Sequence, residues 1–591
     1  MKKYILKISL LIFTVALVLS CNDKFLDRFP LDKISNENSW NTAKDLEMFS
    51  NGLYNMCLDE RQYYVLPGFC IGSTSLYGMS SIYMDCMTDN MATTHSRTLY
   101  YQRIRAGKHA VPSTSEVAGW KWVLLRSCNI FLDNYKKANI SLIDKNKYAG
   151  EVRLIRALFY FDKVKKYGNV PWIGRSLNVD SPELFAARDP REMVMDSVLA
   201  DLNFAISGLP DKWNNDSPGR LNKWCALAAK SRICLYEGTL RKYQGGTNST
   251  FWLNEAVNAS QQIISTGPFN IYSTGDEAHD YRFLHTRTGS GLAGNPEVIY
   301  WRKYDGIVIG NNLDYFDLYN GGASKSFVDD YLCTDGLPIT LSPLYKGDNV
   351  IEDEFVNRDP RMRQTILYPP DQPIIGYSGG DTNPYPRLRG MSGYESSMTG
   401  YTIIKFYDLD SWLNITGNAA QDAIVFKFSE VLLNFAEAKA ELGTITQANM
   451  DISINKLRDR VKMPHLNIAN VPIDSRYTGD GVSPLIVEIR RERRIELFAD
   501  GLRYNDLMRW KQGKKLEIPT MGMRYEVSNR ARYPKANVQF STNPVTGKTY
   551  IDVYKGTDFA VPVFDDTKHY LMPLPTDALS SNPKLLQNPG W

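Results

Sequence analysis

Two amphipathic helices joined by a very short linker set the strongest limit on how this chain can fold. Ile424, Phe428, Val431, Phe435, Ala438 and Leu442 recur at helical spacing on one face. Gly443 closes that stripe, and Ile454, Leu457 and Val461 open another a few residues later. Helices joined so tightly fold back antiparallel and bury their stripes against each other, the unit of tetratricopeptide-like arrays. Upstream, segment 151–167 is apolar on most sides (Val152, Ile155, Leu158, Phe159, Phe161, Val164) and stops at Gly168 with Pro171 beyond, which predicts a buried central helix. In segment 221–237, Ala226, Ala228, Ala229 and Ser231 interleave with Leu227 and Leu235 ahead of Gly238, predicting a closely packed helix that ends there. Asp189 reads as an N-cap before Pro190, with Val194, Val198 and Leu202 on one face until Gly208 and Pro210.

Between about 267 and 417 the texture shifts to Gly, Pro, Asn, Asp and Tyr, with short strand-like runs such as 298–300. Alternation over 549–554 predicts a minor hairpin. The expected fold is therefore mainly α: a tetratricopeptide-like helical-hairpin scaffold carrying a loop-rich lobe and minor β hairpins. Long loops on a rigid scaffold are the usual seat of binding function.

The amino terminus points to a compartment. Residues 1–20 combine Lys2, Lys3 and Lys7 with an apolar run from 8 to 19, the pattern of a secretory signal and too short to span a bilayer. Ser20 followed by Cys21 is where a bacterial lipoprotein is cut and acylated, so Cys21 is the expected lipid-bearing residue. Several acyl chains make an effectively permanent anchor. The chain has 591 residues and a net charge of +4, of which those three lysines account for most. A body so near neutrality has no electrostatic reason to bind nucleic acid or an anionic membrane. Besides Cys21, the cysteines are Cys57, Cys70, Cys86, Cys128, Cys225, Cys234 and Cys333. An odd, scattered set without C-x-x-C is neither a disulfide framework nor a zinc site.

Catalytic spellings occur in the wrong surroundings. Segment 289–294 reads G-x-G-x-x-G, but Asn295-Pro296 follows at once and blocks the helix a nucleotide site needs. Segment 376–380 reads as a nucleophile elbow without a flanking strand or helix. The six histidines fall in no metal-ligand spacing, so no cofactor or metal is expected. Glu488, Glu492 and Glu496 line one helical row among Arg490, Arg491, Arg493 and Arg494. A carboxylate row of this kind could serve glycoside hydrolysis, but arginine neighbours that hold each acid ionised make it a structural, ion-paired helix.

A set of ordered segments resembles the SusD/RagB family of outer-membrane lipoproteins. The opening is Cys21-Asn22-Asp23-Lys24-Phe25-Leu26-Asp27 with Pro30; the next match is the run RLIRALFYFDKVKKYGNVPW over 153–172. Asp335-Gly336-Leu337-Pro338, Asn357-Arg358-Asp359-Pro360-Arg361 and Arg491-Glu492-Arg493-Arg494-Ile495-Glu496-Leu497 follow. The chain closes on Tyr570-Leu571-Met572-Pro573-Leu574-Pro575 and Gln587-Asn588-Pro589-Gly590-Trp591. The resemblance implies three parts: a lipoprotein signal over 1–20, an N-terminal helical region over 21–266, and a C-terminal region over 267–591 that includes a loop-rich insertion at 267–417. It also implies a non-catalytic, outward-facing outer-membrane lipoprotein that captures a glycan and delivers it to a SusC-like TonB-dependent transporter. A lipid-anchored glycoside hydrolase and a peptide-binding or structural adaptor are the alternatives. A glycan site needs flat aromatic platforms beside polar partners. The candidates are Tyr77 and Tyr83 near Asp85, Asp89 and Asn90; Trp301 and Tyr304 near Asp305; Tyr315 and Tyr319 near Asn311 and Asn312; and Trp412 near Asp408 and Asn414.

Overall fold

The computed structural model describes residues 40–57, 65–66, 81–95, 98–213, 219–287, 291–305, 311, 321–374, 386–391, 397–406 and 420–591. The scaffold helices are α1 (Ala43–Cys57), α2 (Val123–Asn134), α3 (Leu142–Tyr167), α4 (Arg191–Gly208), α5 (Lys223–Gln244), α6 (Ser249–Thr266) and α7 (Phe428–Glu441). They are followed by α8 (Ile454–Arg460), α9 (Pro484–Glu496) and α10 (Arg503–Arg509). Helix α3 packs on α4, α5 on α6, and α6 on α7, so that one continuous core runs from Leu46 through Phe159, Leu227 and Trp252 to Leu433.

End signals explain most of these boundaries. The Ser141 hydroxyl accepts from the Asp144 N–H to start α3, and Gly168 at φ 71° ends it where the sequence predicts. Asn222 caps α5, and Ser483 with Pro484 opens α9. Three expectations are corrected. Helix α5 does not stop at Gly238 but runs on to Gln244; a Cβ on Gly238 would lie 2.8 Å from Leu253 Cγ and 2.9 Å from its backbone nitrogen. That glycine is where α5 and α6 touch. The stripe beginning at Ile424 divides into a strand, Ala423–Lys427, and a helix that starts only at Phe428. Asp189 does not cap α4, because its carboxylate accepts from the Trp172 N–H at 2.7 Å.

The strands are short. They are β1 (Met91–Ala92), β2 (Val298–Arg302), β3 (Gly322–Ala323), β4 (Ala423–Lys427), β5 (Met521–Arg524), β6 (Phe540–Thr542) and β7 (Thr549–Asp552). β1 pairs with β3 and β2 with β4, both antiparallel, the latter placing Trp301 opposite Ile424. The alternation at 549–554 belongs to a three-stranded sheet of order β5-β7-β6. A second core draws Ile82, Tyr101, Phe327, Tyr401, Phe498 and Ile551 from segments far apart in sequence. Cys57, Cys86, Cys128, Cys225, Cys234 and Cys333 are free and buried; Cys70 and Cys21 lie outside the described residues.

Helix α9 joins the two cores through its arginines. Arg494 bonds Asp330 and Asn90, Arg491 bonds Asp330 and Asp474, and Arg493 bonds Asp506 and Asn434. On the opposite charge, Arg361 Nη1 donates to Glu492 (2.5 Å) and Glu496 (3.1 Å), while Arg460 donates to Glu496 at 2.6 Å. Burial alone would raise the Glu496 carboxyl, but Arg460, Lys427 and Arg361 hold it down to about 2. At Glu488 the balance of burial and arginine runs the other way. Burial dominates there and raises its pKa despite Arg491, and its Oε2 accepts no hydrogen bond.

Candidate functional site

The aromatic positions singled out in the sequence divide sharply. Cys21, Tyr77, Tyr315, Tyr319 and Trp412 lie outside the described residues. Tyr304 is a core residue, 1% exposed, with its N–H donated to Asp422 and the Arg302 guanidinium over its ring. Tyr83 is 7% exposed and stacks on Tyr101. Neither offers a ring face to a ligand here, because the second core needs both as packing. Trp301 is half-buried on β2 beside Leu284, Leu292 and Val298, with its indole N–H lacking a hydrogen-bond partner. Asn312, Asp408 and Asn414 lie outside the described residues and Asp305 is exposed, while Asp85, Asp89, Asn90 and Asn311 are committed to the fold. Asp89 pairs with Arg503 and Arg494, Asn90 bonds Asp85, and Asn311 donates to the Gln421 carbonyl. Burial raises the Asp85 carboxyl to about 7, partly offset by Asn90 and the Ala499 N–H.

A different set of aromatics surrounds open space. Two adjoining cavities of about 60 and about 50 Å³ share Asp162, Lys165, Tyr236 and Asn505 in their walls. At roughly 10–15 Å³ per water, each has room for about four waters. Tyr100, Tyr504 and Tyr570 line the second cavity, with Tyr100 40% exposed and the other two half-buried. The last turns of α3 supply Asp162 and Lys165 three residues apart, hence on one face. Helix α10 supplies Tyr504 and Asn505, and α5 supplies Tyr236. The remaining wall, Tyr570 to Met572, is held on α3 by the Met572 N–H to the Lys166 carbonyl (2.6 Å) and by Asn588 to the Tyr167 carbonyl (3.2 Å).

The polar groups of this cleft are unevenly satisfied. Asp162 Oδ2 accepts from Lys166 at 3.0 Å, whereas the buried Oδ1 has no hydrogen-bond partner. Burial would raise the Asp162 carboxyl, yet Lys166, Lys163 and Lys165 lower it, so it stays ionised. Burial pushes the Lys165 ammonium down to about 8 against the pull of Asp162. Apolar ring faces beside free acceptors and donors are what a polyhydroxylated ring needs. The sequence signal for this site was present but small: Asp162 and Lys165 interrupt a helix otherwise apolar on most sides. Among the described residues, no three His, Cys, Asp or Glu side chains gather as a metal site, and no helix is long and apolar enough to cross a membrane.

Comparison with known proteins matches the sequence and the fold to one family. Residues 24–235 match a family described as starch-binding and associating with the outer membrane, and residues 301–591 match the SusD family. The chain is a SusD/RagB family protein. Two SusD-like proteins of Formosa agariphila are similar to it, one 24% identical over 88% of this chain and 95% of its own length, the other 22% identical over the whole of both. A SusD-like carbohydrate-binding protein of Bacteroides fragilis superposes with a TM-score of 0.72 at 22% identity, covering 93% of this chain and all of its own. A laminarin-binding SusD-like protein superposes at 0.57 with 18% identity over 93% of this chain and 100% of its own. The helical architecture of the SusD/RagB protein described here is thus that of its family.

Proposed function

We propose that this SusD/RagB protein binds a glycan at the tyrosine-lined cleft without cleaving it, as a lipoprotein anchored through Cys21 on the outer membrane. It passes the glycan to a SusC-like TonB-dependent transporter. The observation that carries the reading is the cleft itself: three accessible tyrosine rings beside an unpartnered Asp162 oxygen and the Asn505 amide. The match to a starch-binding family and the likeness to carbohydrate- and laminarin-binding SusD-like proteins support the same class of ligand. Binding without hydrolysis follows from the carboxylates. Glycoside hydrolysis needs an acid and a second carboxylate free to act across the scissile bond. Around the cavities, Glu430 is clamped by Arg232, Asp500 by Lys405 and Lys427, and Asp506 by Arg493 and Arg509. Asp162 is ionised and held by Lys166 through Oδ2, with only its Oδ1 open.

Titration calorimetry against a panel of oligosaccharides and peptides, with chromatography of the sugar after long incubation, tests this. A glycan should bind and be recovered at full length, and Tyr504→Ala should weaken it by about 1–3 kcal/mol. Shortened product, or binding of peptides alone, would overturn the reading. Recovery of the protein without any β-barrel partner in repeated mild-detergent pull-downs would remove the transporter from it.

A further inference from the structure

We infer that the cleft selects a sugar ring bearing an anionic group, a uronate carboxylate or a sulfate ester, seated on Lys165 Nζ. This rests on the glycan reading above and specifies the ligand for the same site.

The argument is a charge inventory of the walls. Arg232 pairs with Glu430, Lys427 with Asp500, Arg493 with Asp506, Arg509 with Glu437 and Asp506, and Lys166 with Asp162. Lys165 alone among the described cations lining the two cavities makes no ion pair and no hydrogen bond; its ammonium lies 4.8 Å from the Phe161 ring centroid. Asp162 faces three ammonium groups, with Lys166 at 3.0 Å and Lys163 at 3.7 Å in addition to Lys165. Burial pushes Lys163 down to about 7 and its Nζ donates to the Gly119 carbonyl, but one carboxylate beside Lys165 and Lys166 still leaves a local surplus of positive charge in a partly desolvated place, where an unpaired charge is costly and an arriving anion is correspondingly favoured. The depressed Lys165 titration is the same cost seen from the proton's side.

A single ring would meet each of these groups. Its carboxylate or sulfate would meet Lys165 and a neighbouring hydroxyl would donate to Asp162 Oδ1. The Asn505 amide would bond a second hydroxyl, and an apolar CH face would lie on Tyr504 or Tyr100. A free inorganic anion would satisfy Lys165 but leave Asp162 and the rings unused, which is why an anionic sugar rather than an anion fits the whole cleft.

The test begins with an array of uronate-containing, sulfated and neutral glycans. Calorimetry then compares the best acidic disaccharide with its uncharged methyl ester or desulfated counterpart, on wild type and on Lys165→Met. Wild type should prefer the charged ligand by tenfold or more, and K165M should bring that ratio to within about twofold, with K165R restoring most of it. Raising sodium chloride from 50 to 500 mM on wild type should shrink the same ratio, a readout that does not depend on the variant folding. A ratio near one in wild type, or an undiminished ratio in a K165M protein with a native thermal melt, overturns the inference. Tight binding of neutral glycans in preference to acidic ones overturns it and leaves the glycan reading standing. Silence across the array, with peptides bound instead, overturns both.

Discussion

Arg361→Met is the sharpest probe of the charged seam between the two cores. Arg361 is 1% exposed and touches three carboxylates, those of Asp359, Glu492 and Glu496. Methionine fills most of the same volume, so the loss is chiefly electrostatic. Removing one partner of a buried ion pair costs about 3–5 kcal/mol. The structure puts this case at the lower end, about 3 kcal/mol, because Glu492 keeps Arg458 at 3.2 Å and Glu496 keeps Arg460 at 2.6 Å. The assay is urea unfolding of wild type and variant at pH 7 and pH 4.5. In wild type the folded Glu496 carboxyl is held down to about 2, below its unfolded value, so its contribution is present above the unfolded pKa and fades only as pH falls towards 2. In the variant, Glu496 loses one of the three cations that hold its carboxyl down, so the carboxyl moves up towards its unfolded value and part of the penalty is relieved as pH falls. The destabilisation should therefore shrink as pH falls. A difference below about 1 kcal/mol at pH 7, or one identical at both pH values, would refute the electrostatic account.

Gly238→Ala should destabilise by about 1–2 kcal/mol in the same assay, even though alanine is the better helix former by about 1 kcal/mol, because Leu253's backbone cannot move away; a stabilised variant would refute the close contact. Tyr304→Ala should lower the melting temperature as a core truncation does, about 3–5 kcal/mol, and prevent any clean reading of ligand affinity; a native melt would return Tyr304 to the exposed aromatics. Cys21→Ala should release the protein from membranes in fractionation, and a variant still membrane-bound after a high-salt wash would count against the lipid anchor.

Helix existence was legible wherever an apolar period met an end signal, as at Gly168 and Gly443, both of which adopt positive φ as helix stops do. Gly238 carries the same letter and means the opposite, since its role is set by Leu253 on the next helix, which local pattern cannot reveal. Ile424 fits the helical stripe by period yet lies in a strand, because a buried strand residue and a buried helix residue are equally apolar. The site was harder. Asp162, Tyr236, Tyr504 and Tyr570 come from four separate segments, three of them helical or next to helices, and each segment taken alone reads as scaffold. Loop aromatics such as Tyr304 looked available because composition cannot say which way a ring faces.

The wall formed by Tyr570 to Met572 sets an order in time. Asn588 and the Tyr167 carbonyl it bonds are separated by 421 positions, so synthesis finishes α3 long before the segment that closes the cleft exists. The hairpins of α3 to α6 bury their stripes mostly against near neighbours in sequence and can collapse early, whereas closing so long a loop comes late. A chain interrupted before residue 570 would keep its helices and have a cleft open on one side. Competence to hold a ligand is thus gained only when the last stretch docks, and a nascent or clipped molecule carries the scaffold without the receptor.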